Sequence, residues 1–96
     1  MIVADFSMIP MGSGTSGSIY VRAVHDLLRE LDVKFIPGPM STAVQTESLE
    51  QLFETIEKAN QLLIKMGLQR IITSIRIDYR LDKEITIESK LGIAGK

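Results

Sequence analysis

Cysteine and tryptophan are absent from the 96 residues, and aromatics make up only 5% of them. The first absence excludes disulfide staples, thiolate metal sites and cysteine nucleophiles. The second confines any aromatic stacking to three Phe and two Tyr. No strong charge of either sign is present: the net charge is −1 and the pI about 5.8, so the chain lacks the basic footprint expected of a nucleic-acid or anionic-membrane binder. No apolar run approaches the roughly 20 residues that cross a bilayer. Asp5 and Ser7 interrupt the first apolar stretch, which therefore does not read as a signal peptide. These features imply a single cytoplasmic domain that binds neither membrane nor nucleic acid. The 45% hydrophobic content supports a core, although a chain of this size is marginal alone.

Periodicity then divides the chain. Ile2 to Ile9 alternates, with Ile2, Ala4, Phe6 and Met8 on one side and Val3, Asp5, Ser7 and Ile9 on the other, which predicts a half-buried strand ended by Pro10. Tyr20, Ala23, Val24, Leu27, Leu28 and Leu31 recur at helical spacing, with Ser16 or Ser18 as the natural N-cap and Asp32 closing the helix. Val33 to Ile36 reads as a second strand and Met40 to Glu47 as a third, with Met40, Thr42, Val44 and Thr46 on one side. The short Pro37-Gly38-Pro39 linker between them allows only a hairpin, because a parallel crossover needs a dozen or more residues.

Ser48 and Gln51 fit a capping box at the head of a second helix striped by Leu49, Leu52, Phe53, Ile56, Ala59, Leu63 and Met66, with Gly67 as its left-handed terminus. Ile71 to Tyr79 alternates as a fourth strand. In the tail, Thr86 capping Ile87 to Leu91 favours a short helix over a β reading of Ile85-Thr86-Ile87.

The order β-α-β-β-α-β predicts a ferredoxin-like α/β sandwich: a four-stranded antiparallel sheet in the order 4-1-3-2, both helices on one face. Asp5 and Arg76 then share the uncovered face and can pair across strands. Val3, Ile9 and Ile72 fall on that face too, and a second subunit is expected to cover them.

One stretch invites a sharper reading. Gly12, Gly14 and Gly17 spell G-x-G-x-x-G between the first strand and the first helix. A dinucleotide site also needs an acid at the end of the second strand and further parallel strands, whereas here that strand ends in Ile36-Pro37 and turns into a hairpin. No G-K-[ST] follows, so a P-loop fails as well. Two readings remain: an amide- and hydroxyl-rich rim suited to an anion or a polar ring edge, or a mobile turn whose glycines permit positive φ. An RNA-recognition module is disfavoured, because the third strand carries no aromatic and Phe6 points to the helices.

Catalysis has little to stand on. His25 lies beside Arg22, Asp26 and Arg29 and reads as solvated. Asp78 and Asp82 bracket Arg80 as a strand-end ion pair would, and Glu50, Glu54, Glu57 and Lys58 form a solvated helix face. No metal-ligand cluster is visible.

Three stretches carry a family resemblance: Ile2 to Gly12 with its I-P-x-G, Gly38 to Glu47 with its G-x-M-x-T turn, and Arg76-Ile77-Asp78-Tyr79-Arg80. Together they resemble the small thiamine-binding protein family. The resemblance implies a ferredoxin-like fold, dimers and tetramers assembled through the sheets, and binding of thiamine or its pyrimidine part without turnover and without a further cofactor. It also implies a C-terminal helix within Asp82 to Leu91. Thiamine joins an aminopyrimidine, which wants hydrogen bonds at its edge, to a cationic thiazolium, which wants a carboxylate or a π face. Asp5 and Asp78 are candidates for the acid, Thr15, Ser16 and Thr42 for hydroxyls, and Met11 and Met40 for soft walls, with Gly12 opening the amide-rich turn.

Overall fold

The computed structural model describes residues 1–12 and 17–92. Four strands and three helices alternate as β1 (Ile2–Pro10), α1 (Ser18–Glu30), β2 (Lys34–Pro37), β3 (Thr42–Thr46), α2 (Leu49–Lys65), β4 (Ile71–Asp78) and α3 (Ile87–Leu91). The sheet is antiparallel throughout, in the order β2-β3-β1-β4, with α1 and α2 packed together on one face. This is the ferredoxin-like sandwich that the alternating strands and the hairpin linker predict.

Ile2, Ala4 and Phe6 of β1 and Val44 of β3 meet Val24 and Leu28 of α1 and Leu52, Ala59 and Leu63 of α2 in one buried cluster. The stripe predicted for α2 is narrower than its sequence suggests. Phe53 is exposed, and Thr55 is buried in the helix, where its hydroxyl donates to the Gln51 carbonyl at 2.8 Å.

Local chemistry sets the helix ends. Ser48 Oγ accepts from the Gln51 amide at 3.1 Å, and Gln51 Oε1 reaches back to the Glu47 amide at 2.8 Å. Gly67, at φ 107°, ends α2 in the left-handed region. The head of α1 differs from expectation. Gly17 is the N-cap with no side-chain hydrogen bond there, Ser18 is already helical, and Ser16 lies outside the described residues. Strand β3 starts at Thr42 rather than Met40, because the turn that Gly38 and Ser41 close by a 2.8 Å backbone bond occupies the intervening residues.

The tail supplies the largest correction. Val3, expected to need a second subunit, is only 6% exposed, because Ile85 and Ile87 from its own chain cover it together with Ala43. Helix α3 is fastened across the open face of the sheet. Lys34 of β2 pairs with Glu88, Lys90 pairs with Asp78 of β4, and the Ile87 amide donates to Gln45 Oε1 of β3 at 2.9 Å. Thr86 caps it, accepting from the Ser89 amide while Ser89 Oγ accepts from the Thr86 amide. The helix thus roofs one end of the open face. At the other end Ile9 and Ile72, direct partners in the β1–β4 register, stay 49% and 41% exposed.

Candidate functional site

Strand β1 is unequally flanked. It pairs with β4 from Val3 to Pro10 but with β3 only as far as Phe6. Beyond Phe6 the β3 side of β1 faces no described strand, because β3 begins only at Thr42 and the 38–41 turn precedes it. Successive residues of an antiparallel strand turn their N–H and C=O groups to alternate sides, so at least one such pair between Ser7 and Ile9 points into this gap. The gap opens a cleft of about 400 Å³. Phe6 and Met8 line one side, Tyr20, Val24 and His25 of α1 the floor, and the residues from Gly38 to Thr42 the far rim. The size lies within the ordinary range for small-ligand sites, as does the mixture of mainly apolar walls with a few polar groups.

Those polar groups converge on one pair. His25 Nε2 and Thr42 Oγ1 lie 3.0 Å apart, and the imidazole stacks on Phe35 with centroids 5.2 Å apart and planes 26° from parallel. His25 is therefore half-buried, not solvated as its polar neighbours in sequence suggest. Burial, reinforced by the Arg29 charge and opposed by Asp26, holds its pKa below the ordinary 6.5. Arg29 itself stands over the Phe35 ring, 5.4 Å from the centroid, and donates to Asp26 at 2.8 Å.

A second hollow of about 340 Å³ lies on the opposite face, beneath α3, lined by Val3, Asp5, Ala43, Arg76, Asp78 and Lys90 among others. Its charges are already satisfied internally. Arg76 grips Asp5 with two bonds, Nε to Oδ1 at 3.1 Å and Nη2 to Oδ2 at 2.6 Å, and Ser41 Oγ donates to Asp5 Oδ2 at 3.2 Å. The Arg76 hydrogen bond, outweighing partial burial, holds the Asp5 carboxyl below the usual range. Asp78 pairs with Lys90, and Arg80 takes Asp82 as its bidentate partner while the Asp78 charge also acts on it.

The sequence-derived candidates therefore divide. Thr42 and Met40 share the cleft with His25. Asp5 and Asp78 stand on the other side of the sheet, because Thr42 is paired with Phe6, one residue out of phase with Asp5. Met11 and Gly12 line a third hollow, of about 430 Å³, beside Gly67 and Arg70, while Thr15 and Ser16 lie outside the described residues. His25, Tyr20 and Ser41 are lining residues that sequence reasoning passed over. His25 had a signal: it adjoins Val24 and precedes Leu28 by three residues, at the border of the apolar stripe of α1.

Among the described residues no group of three or more His, Asp or Glu is placed to hold a metal ion, and no helix is long and apolar enough to cross a membrane.

The comparisons with known proteins agree with this architecture. The UPF0045 protein YqgV of Bacillus subtilis is 39% identical, over 100% of this chain and 96% of that protein. The crystal structure of a hypothetical protein from Methanocaldococcus jannaschii superposes with a TM-score of 0.87 at 33% identity, covering 98% of this chain and 95% of that one. A Thermotoga maritima structure assigned provisionally to thiamine biosynthesis or salvage shares the fold, with a TM-score of 0.82 at 20% identity and 95% coverage of both chains. The family model described as "Thiamine-binding protein" matches residues 4–93. This chain, whose hairpin, C-terminal helix and all of the sheet but Ile2 and Val3 fall within that span, belongs to the thiamine-binding protein family.

Proposed function

We propose that this protein binds thiamine, or its aminopyrimidine part, without chemical turnover, as a carrier, buffer or sensor, and that the pyrimidine sits in the cleft between β1, α1 and the 38–41 turn. Family membership points to the ligand, and one observation carries the placement: the cleft sets a strand edge with no partner strand among the described residues opposite the Thr42–His25 pair. An aminopyrimidine offers a donor and an acceptor side by side along its edge, the complement of a strand's N–H and C=O. Met8, Val24 and Leu63 supply apolar walls for its ring faces. The described lining includes no carboxylate, so the thiazolium cation is placed at the mouth, beside Met40, whose side chain is largely solvent-exposed. Asp5 and Asp78 take no part in this arrangement, being held by Arg76 and Lys90 on the other face.

Calorimetric titration with thiamine, its phosphate esters and the free pyrimidine tests the reading. Thr42→Val is expected to weaken binding by about tenfold, the loss of one buried hydrogen bond to the ligand. Absence of heat with all of these at millimolar ligand rejects it.

The reading extends to assembly. Ile9 and Ile72, direct partners across β1 and β4, form an apolar patch on the part of the open face that α3 leaves bare. A second copy of the chain covering this patch gives a homo-oligomer built through sheet faces, up to a tetramer. The same patch favours one competing reading, an assembly module that binds an amino acid or a protein. Native mass spectra showing an oligomer that neither retains nor accepts a small molecule select it.

A further inference from the structure

The hydroxyl of Thr42 has one proton and two lone pairs to divide between His25 and the cleft. Its division is imposed by the histidine, because Thr42 is 8% exposed and the imidazole is pinned by its stack on Phe35. We propose that His25 is the specificity-determining partner of Thr42: the neutral imidazole that takes the Thr42 proton leaves the hydroxyl able only to accept from a ligand, selecting 4-amino- over 4-oxopyrimidines, and protonation removes that selection. The inference rests on the pyrimidine reading of the same cleft and adds which ring substituent is chosen and what chooses it.

Three states are available. With the proton on Nδ1, Nε2 accepts the Thr42 proton, and the oxygen's lone pairs are free for an exocyclic amine. With the proton on Nε2, the ring donates to Thr42, whose own hydrogen turns into the cleft and suits a carbonyl. The imidazolium allows only the second arrangement. A 4-amino ligand is then left one lone pair, and only with the hydroxyl hydrogen turned aside, whereas a 4-oxo ligand gains a donor it lacks in the first state. Among the described residues the groups facing the ring are few. On α1, Arg29 opposes protonation and Asp26, itself held by Arg29, favours it; β2 contributes the uncharged Phe35 and β3 contributes Thr42. Lys34 of β2 lies on the other face, paired with Glu88.

The test is calorimetry of the full-length protein with thiamine and with its 4-oxo analogue, at about pH 8 and about pH 5, either side of the histidine range. The wild type is expected to favour thiamine at the higher pH, with the amino-to-oxo affinity ratio falling about tenfold or more at the lower. His25→Gln, whose amide both donates and accepts at every pH, reports whatever the ligands' own titration contributes. An unchanged ratio in the wild type, or an equal fall in His25→Gln, overturns the proposal. Heat with neither ligand at either pH overturns the thiamine reading beneath it. His25 is the only histidine, so its 15N shifts in the unmutated protein give the tautomer without ambiguity. Thiamine-bound protein is expected to carry the proton on Nδ1, and a proton on Nε2 also refutes the inference.

Discussion

Leu28 and His25 lie one turn apart on α1, and they answer different perturbations. Leu28 is fully buried between the sheet and α2, so Leu28→Ala leaves a cavity that α1 and α2 close only in part. A loss of about 3 kcal/mol is expected, read as a lower urea midpoint at unchanged slope. His25 instead makes stability depend on pH. Its folded pKa lies below 6.5, so the unfolded chain binds the extra proton first. Stability falls as pH drops from 6.5 towards the folded value and is level below it. Thermal midpoints of the wild type against His25→Phe, which keeps an aromatic ring on Phe35, isolate that limb; equal pH dependence of the two refutes it. The Thr42–His25 contact was not legible in the sequence. Helical spacing puts His25 on a border, and only the register of β3 against β1, which turns Thr42 towards the helices, makes the border a cleft.

At the scale of elements, what is encoded within four or five residues was legible and what depends on distant contact was not. Ser48 with Gln51 and Thr86 with Ser89 cap their helices by local hydrogen bonds, and both helices begin where those residues stand. Ser48→Ala removes the acceptor for the Gln51 amide and is expected to cost about 1 kcal/mol, measured by denaturant unfolding, with Ser48→Gly costing less. The Pro37-Gly38-Pro39 hairpin was equally plain, since nothing else joins two strands so closely. The path of the tail was not. Alternation assigns Val3 a face but does not say what covers it; that depends on Lys34, Gln45 and Asp78 lying where Glu88, the Ile87 amide and Lys90 can reach them. The same limit explains the site residues. Asp5 and Thr42 look like companions in sequence motifs, yet pleating puts them on opposite sides of the sheet.

For the molecule as a whole, the α3 roof leaves an open face that is polar and fastened at one end and apolar at the other. Assembly through this face predicts that Ile72→Glu lowers the oligomer mass in analytical ultracentrifugation while the circular dichroism spectrum is retained. An unchanged mass removes the sheet face as the interface. Thiamine binding in that variant separates the two properties further: the cleft takes lining from Ile9 but none from Ile72, so binding by a protomer is expected to survive.

The placement of β1 at the centre of the sheet also has a consequence for biosynthesis. Asp5 and Arg76 are 71 residues apart. At about 5–20 residues per second, the strand made first waits roughly 4–14 s for the strand that completes it. Helix α3 and its grip on Val3 come later still. Throughout that interval Ile2, Ala4, Phe6 and Met8 form an apolar ribbon lacking β4, its longest neighbour, so β1 is the strand of the nascent chain most exposed to misassociation. Ile85 and Ile87 thus protect a strand made long before them.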